Sequence, residues 1–239
     1  MILVLLLLLV FAGGRLLVSG RIPRLDPVAQ AWRLRKPRVM AYLRSAPGTY
    51  TYLFILLITT WVLQTSSSTI ARQLLLERST NLHQLARDPI RVLLASAFWV
   101  GGVGELLLWL ALFSAVVARV EHRLGTARTA IVFFTGHIGS TLLTALGLWL
   151  GVQADIVSSS VIHETDVGAS YGFAAVAAVL SVLLGGRARR LVVTILVAYV
   201  AGSLAIDQSF TNVGHLIALA IGFALAPLAR RRAGGRCPS

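Results

Sequence analysis

Six apolar stretches dominate the chain, at about 49–65, 101–119, 128–150, 168–184, 190–206 and 212–229. Most approach the roughly 20 residues that carry a helix across bilayer hydrocarbon. A segment in hydrocarbon must satisfy its own backbone polar groups, which leaves only helices and closed barrels. These stretches are continuous and do not alternate, so a barrel is excluded. The composition agrees: 56% hydrophobic, 13% charged, mean hydropathy +0.80. Soluble domains carry about 25% charged residues. The expected fold class is therefore all-α, a polytopic membrane protein with a six-transmembrane-helix bundle.

The formal net charge is +13, nearly all of it arginine, with Lys36 the single lysine. These arginines sit between apolar spans and are not interleaved with stacking aromatics, which argues for topology and against nucleic acid. The 119–128 connection holds Arg119, Arg123 and Arg128, and the 185–190 connection holds Arg187, Arg189 and Arg190. The tail holds Arg230, Arg231, Arg232 and Arg236, while 151–167 and 207–211 hold no Lys or Arg. The positive-inside bias puts both ends of the six-span unit in the cytoplasm.

Three regions follow. Residues 1–48 form an N-terminal apolar segment and a basic cytoplasmic juxtamembrane region. Residues 49–229 form the six-span membrane domain, and residues 230–239 a basic cytoplasmic tail. The apolar run 1–12 lacks a basic n-region and a small-residue cleavage site, unlike a signal peptide. It reads either as an extra short N-terminal helix or as an upstream extension of the reading frame. Residues 21–47, with seven basic residues and prolines at 23, 27, 37 and 47, read as a segment resting on anionic lipid. Between the first two spans lies a long loop, 66–100. It starts polar and ends in IRVLLASAFWV, an interfacial helix after Pro89. Lone Cys237 allows neither an internal disulfide nor a Cys-based metal site.

This orientation brings Glu105, Ser170 and His215 to one depth near the outer surface. Serine, histidine and carboxylate are the inventory of nucleophilic acyl transfer. Ionisable groups inside spans mark functional interiors. Gly168 and Gly172 flank Ser170, and Gly214, Ala218 and Gly222 recur at four-residue steps. Such small residues let helices approach closely, here spans 4 and 6. Duller readings stand beside these. Ser170 bonding its own helix, His215 bonding a neighbouring helix and Glu105 snorkelling to the interface are each ordinary. His137 reads as an interhelical hydrogen-bonding residue, and His163, Glu164 and Asp166 as a solvated loop cluster.

Four segments together resemble the rhomboid family of intramembrane serine proteases over about 49–229. They are RDPIRVLLASAF (87–98), VEHRLGTAR (120–128), VGASYGFA (167–174) and GHLIALAIG (214–222). The likeness is to a divergent bacterial branch. It implies a rhomboid-like six-span bundle in the cell membrane, with Ser170 as nucleophile and His215 as general base. Transmembrane segments would be cut near their outer ends. The implied partners are transmembrane substrates or clients and membrane lipids, with no cofactor, metal or nucleic acid. The chain departs from the family pattern in the oxyanion region. The family's His-x-x-x-Asn falls on Glu105 and Trp109. Tyr171 replaces the glycine after the nucleophile, and Ala174 the aromatic four residues on. Three compensations are open: an indole N–H from Trp109, a Glu105–His215 pair, and backbone amides at the start of span 4, around Gly168 and Tyr171. The alternative is a catalytically inactive rhomboid pseudoprotease that binds client transmembrane segments. A small transporter fits worse, since no inverted repeat is evident.

Topology is directly testable. Cysteines placed at Asp155 or Gln208 should react with an impermeant thiol reagent on intact cells, and cysteines at Arg187 or Arg231 should not. Reversed labelling would put Ser170 and His215 on the inner side.

Overall fold

The computed structural model describes residue 12 and residues 26–158, 167–206 and 209–233. Within them every regular element is helical. Most of the N-terminal apolar segment, the cluster at 163–166 and Cys237 lie outside the described residues. The helices are α1 (Asp26–Arg44), α2 (Pro47–Thr65), α3 (Ser68–Arg78), α4 (Leu82–Arg87) and α5 (Pro89–Ala95). A single tight turn, Ser96–Phe98, ends α5. Then come α6 (Val103–Leu124), α7 (Thr126–Gln153), α8 (Ser170–Leu183), α9 (Gly186–Ile206) and α10 (Phe210–Ala233). A π turn at Phe113–Val117 interrupts α6.

Each expected span coincides with one helix: α2, α6, α7, α8, α9 and α10. Length and composition support fewer crossings. Four helices, α6, α7, α9 and α10, are each long and apolar enough to span. Gln30–Arg44 and Pro47–Thr65, bent by 90°, make a fifth if they count as one broken span. Helix α8 has 14 residues, about 21 Å at 1.5 Å per residue. It is short because it lies inside the bundle, with Tyr171, Gly172 and Ala174–Ser181 all buried. The loop expected to be polar coil at 66–88 is instead two short helices. Ser67, Asn81 and Asp88 each accept a backbone N–H three residues on, from Ile70, Gln84 and Arg91. These are N-caps, which start α3, α4 and α5.

Small residues seat α8 between α7 and α10. A Cβ on Gly136 of α7 would overlap the Ala175 methyl, and one on Gly222 of α10 would overlap the Ala175 carbonyl and lie 2.8 Å from the Ala178 methyl. Fully buried Ala218 packs in the same seam with Ala174 and Ala178. The expected approach of spans 4 and 6 is therefore present. Gly172, however, does not take part in it. Its Cβ would stand 2.5 Å from the Phe133 ring of α7. Gly168 precedes the helix, so the two glycines never form a stripe on one face.

Charged groups clamp the opposite end of the bundle from Ser170. Glu121, on α6 and 2% exposed, accepts from the Gly48 N–H (2.8 Å), the Thr49 N–H (2.7 Å) and the hydroxyls of Thr49 and Thr126 (both 2.6 Å). An anion there meets the positive end of α2. Two residues on, the Arg123 guanidinium donates to the Leu183 carbonyl (3.4 Å) at the end of α8.

Stability outcomes for four variants follow, each measurable by unfolding in detergent. Gly222→Leu should cost about 1–3 kcal/mol by overpacking and disrupt the α8–α10 contact, whereas Gly172→Leu should displace α7. Glu121→Ala strands four donors, two of them on buried Thr49, and should cost about 3 kcal/mol or more. Arg91→Ala, which breaks only the exposed 3.9 Å pair with Glu77, should cost under about 1 kcal/mol.

Candidate functional site

Ser170 is the first residue of α8 and is partly exposed. The backbone reaches it through Gly168, whose φ of +130° suits glycine and strains any other residue. The Gly168 N–H donates to the Ser96 carbonyl (3.0 Å), and the Phe173 N–H is bonded back to the Ala169 carbonyl (2.9 Å). The first amides of a helix have no acceptor within it. Ser170 thus stands at an end of α8 that attracts negative charge.

His215, on the second turn of α10, is buried at 7% exposure. Its ring meets Tyr171 edge-on with centroids 5.2 Å apart, and Tyr199 of α9 in the same manner at 5.9 Å. Both ring nitrogens lack a hydrogen-bond partner among the described residues. Ser170 and His215 therefore sit on neighbouring helix ends, with no hydrogen bond joining them. Tyr171 occupies the seam between these ends. A Cβ on Gly214 would stand 2.5 Å from the Tyr171 hydroxyl oxygen, so only glycine there leaves room for the ring.

Glu105 lies in the first turn of α6. Its Oε2 accepts from the Gly101 N–H (2.7 Å), and its Oε1 accepts from the Trp109 indole N–H (3.1 Å). These bonds correct two sequence expectations. Glu105 is not paired with His215, and the Trp109 indole is committed to Glu105. The cause is local, because residues four apart on a helix are neighbours and an N-terminal turn favours a carboxylate. The carboxylate still borders the Ser170 segment: its Oε1 is 3.7 Å from where a Gly168 Cβ would lie.

Residues 41–235 match the rhomboid-like protein family. The chain belongs to the rhomboid-like family. Neither the curated proteins nor the solved structures contain a match. Family membership and the apolar helices together make this a multi-pass membrane protein. In this rhomboid-like chain the aromatic packing against the histidine comes from Tyr171 and Tyr199, since Ala174 has no ring to offer.

His137 makes the interhelical bond expected of it. Its Nε2 and the Ser96 hydroxyl are 3.0 Å apart, with both residues almost fully buried. Sequence reasoning passed over Ser96, and it met Glu121 only as the glutamate of the Glu-x-Arg-x-Gly pattern in VEHRLGTAR. Both lay inside segments of family likeness, and for Ser96 the available signal was a polar residue within an apolar run. Sequence also left Tyr199 unremarked, because a tyrosine in a span is unexceptional.

Proposed function

We propose that this rhomboid-like protein is an intramembrane serine protease that cuts transmembrane segments of membrane proteins near their outer ends. Ser170 attacks the scissile carbonyl while His215 takes the hydroxyl proton. His215 then returns the proton to the leaving amine, and water releases the acyl group by the same route in reverse. The orientation is that of the arginine pattern, with both ends of the bundle cytoplasmic in the cell membrane. The reading rests on the packing of Tyr171 against Gly214 and His215. That packing sets the base helix beside the nucleophile helix and leaves both imidazole nitrogens uncommitted. Catalytic hydrogen bonds are often long in unliganded enzymes and tighten with substrate.

One observation favours the second reading, a pseudoprotease that holds client transmembrane segments without cutting them. Gly101 and Trp109 hold the Glu105 carboxylate beside Gly168, where an anion opposes a developing oxyanion. Loss of one oxyanion donor typically costs about 10²–10³ in kcat.

A serine-directed fluorophosphonate probe separates the two. The protease should be labelled, Ser170→Ala should abolish labelling, and His215→Ala should nearly do so. Glu105→Gln should leave the labelling rate unchanged or raise it, since it removes a negative charge and does not disturb His215. Absence of labelling in both the folded wild type and Glu105→Gln would establish the pseudoprotease reading.

A further inference from the structure

One serine–histidine hydrogen bond among the described residues joins Ser96 to His137 (3.0 Å). It is no second catalytic pair: Ser96 is 0% and His137 2% exposed, so no substrate carbonyl reaches them. Its surroundings point to another task. The turn Ser96–Phe98 is a single 3-10 turn that ends a helix inside an apolar bundle, where every carbonyl left without a helical partner needs another. Each of its three carbonyls has a distant one. Tyr52 of α2 donates to Ala97, Thr59 of α2 donates to Phe98 (2.8 Å), and the Gly168 N–H donates to Ser96 (3.0 Å). Two of these contacts anchor the turn to α2, and the Ser96 hydroxyl anchors it to α7. The third carbonyl grips the backbone two residues before Ser170.

We infer that Ser96 and His137 are positioning residues for Ser170. Their hydrogen bond holds the Ser96 carbonyl, which holds the Gly168 N–H and with it the placement of the Ser170 hydroxyl at the start of α8. The catalytic consequence rests on the protease reading above, whereas the mechanical coupling of Ser96 to Gly168 does not.

The test uses the full chain in detergent and four readouts: maximal fluorophosphonate labelling rate, probe affinity, melting temperature and amide hydrogen exchange across 167–171. Ser96→Ala should slow maximal labelling by about tenfold or more while leaving probe affinity within about twofold, because small misplacements of a reacting atom act on the chemical step. It should also speed exchange across 167–171. Ser96→Thr keeps a hydroxyl and should restore both. The double variant Ser96→Ala, His137→Phe removes both partners, a change close to neutral for stability. It should melt like the wild type and still label slowly. Wild-type labelling and exchange in a double variant of wild-type melting temperature would overturn the inference and leave the pair a mere space-filler. If the wild type is not labelled at all, the protease reading fails and exchange alone decides. Faster exchange across 167–171 in Ser96→Ala then sustains the coupling, and unchanged exchange overturns it.

Discussion

The close approach of three helix backbones at Ala175 is the constraint on which the rest depends. Gly136 presses on Ala175 from α7 and Gly222 from α10. In lipid there is little hydrophobic gain in joining two apolar helices, so contact comes from van der Waals fit between small residues. That fit puts α8 inside the bundle, and an interior helix has no need to match the bilayer thickness. Its short length follows, and so does the need to satisfy both of its ends from within the protein. Arg123 serves the last carbonyl, and Ser96 holds the backbone ahead of the first turn.

Buried polar groups elsewhere obey the same demand. Glu121 gathers four donors from α2 and from the start of α7, which ties three helices at one corner. The π turn in α6 leaves a carbonyl for an outside donor, and the Tyr42 hydroxyl of α1 takes it at Ser114 (2.6 Å). Polar contacts between helices are thus concentrated at turns and helix ends, where the backbone cannot satisfy itself.

The departures from the family pattern are coherent when taken together. Tyr171 arrives where a glycine is usual, and Ala174 lacks the usual ring; the aromatic surface against His215 has moved by three residues and gained Tyr199. Gly214 is what makes the move sterically feasible. Glu105 and Trp109 have likewise changed as a pair. They bond each other across one helical turn instead of presenting two separate donors.

The sequence by itself determined the class, the six helices and the family. Continuous apolar runs force helices in hydrocarbon, whereas the short helices that Ser67, Asn81 and Asp88 cap within 66–95 emerged only in the structure. The serine, the histidine and the carboxylate at one end of the bundle were legible through their depth. Only the tertiary structure decided what each side chain touches. Periodicity is silent on this in a membrane, because the face toward lipid is as apolar as the face toward the core. On α7, exposed Leu142, Leu143, Leu146 and Trp149 are no more polar than buried Val132 and Phe133. That is why Gly172 turned out to face α7, Trp109 to be bonded to Glu105, and Ser96 to be joined to His137: rotation about a uniformly apolar helix is set by packing, and packing is a property of the assembled bundle.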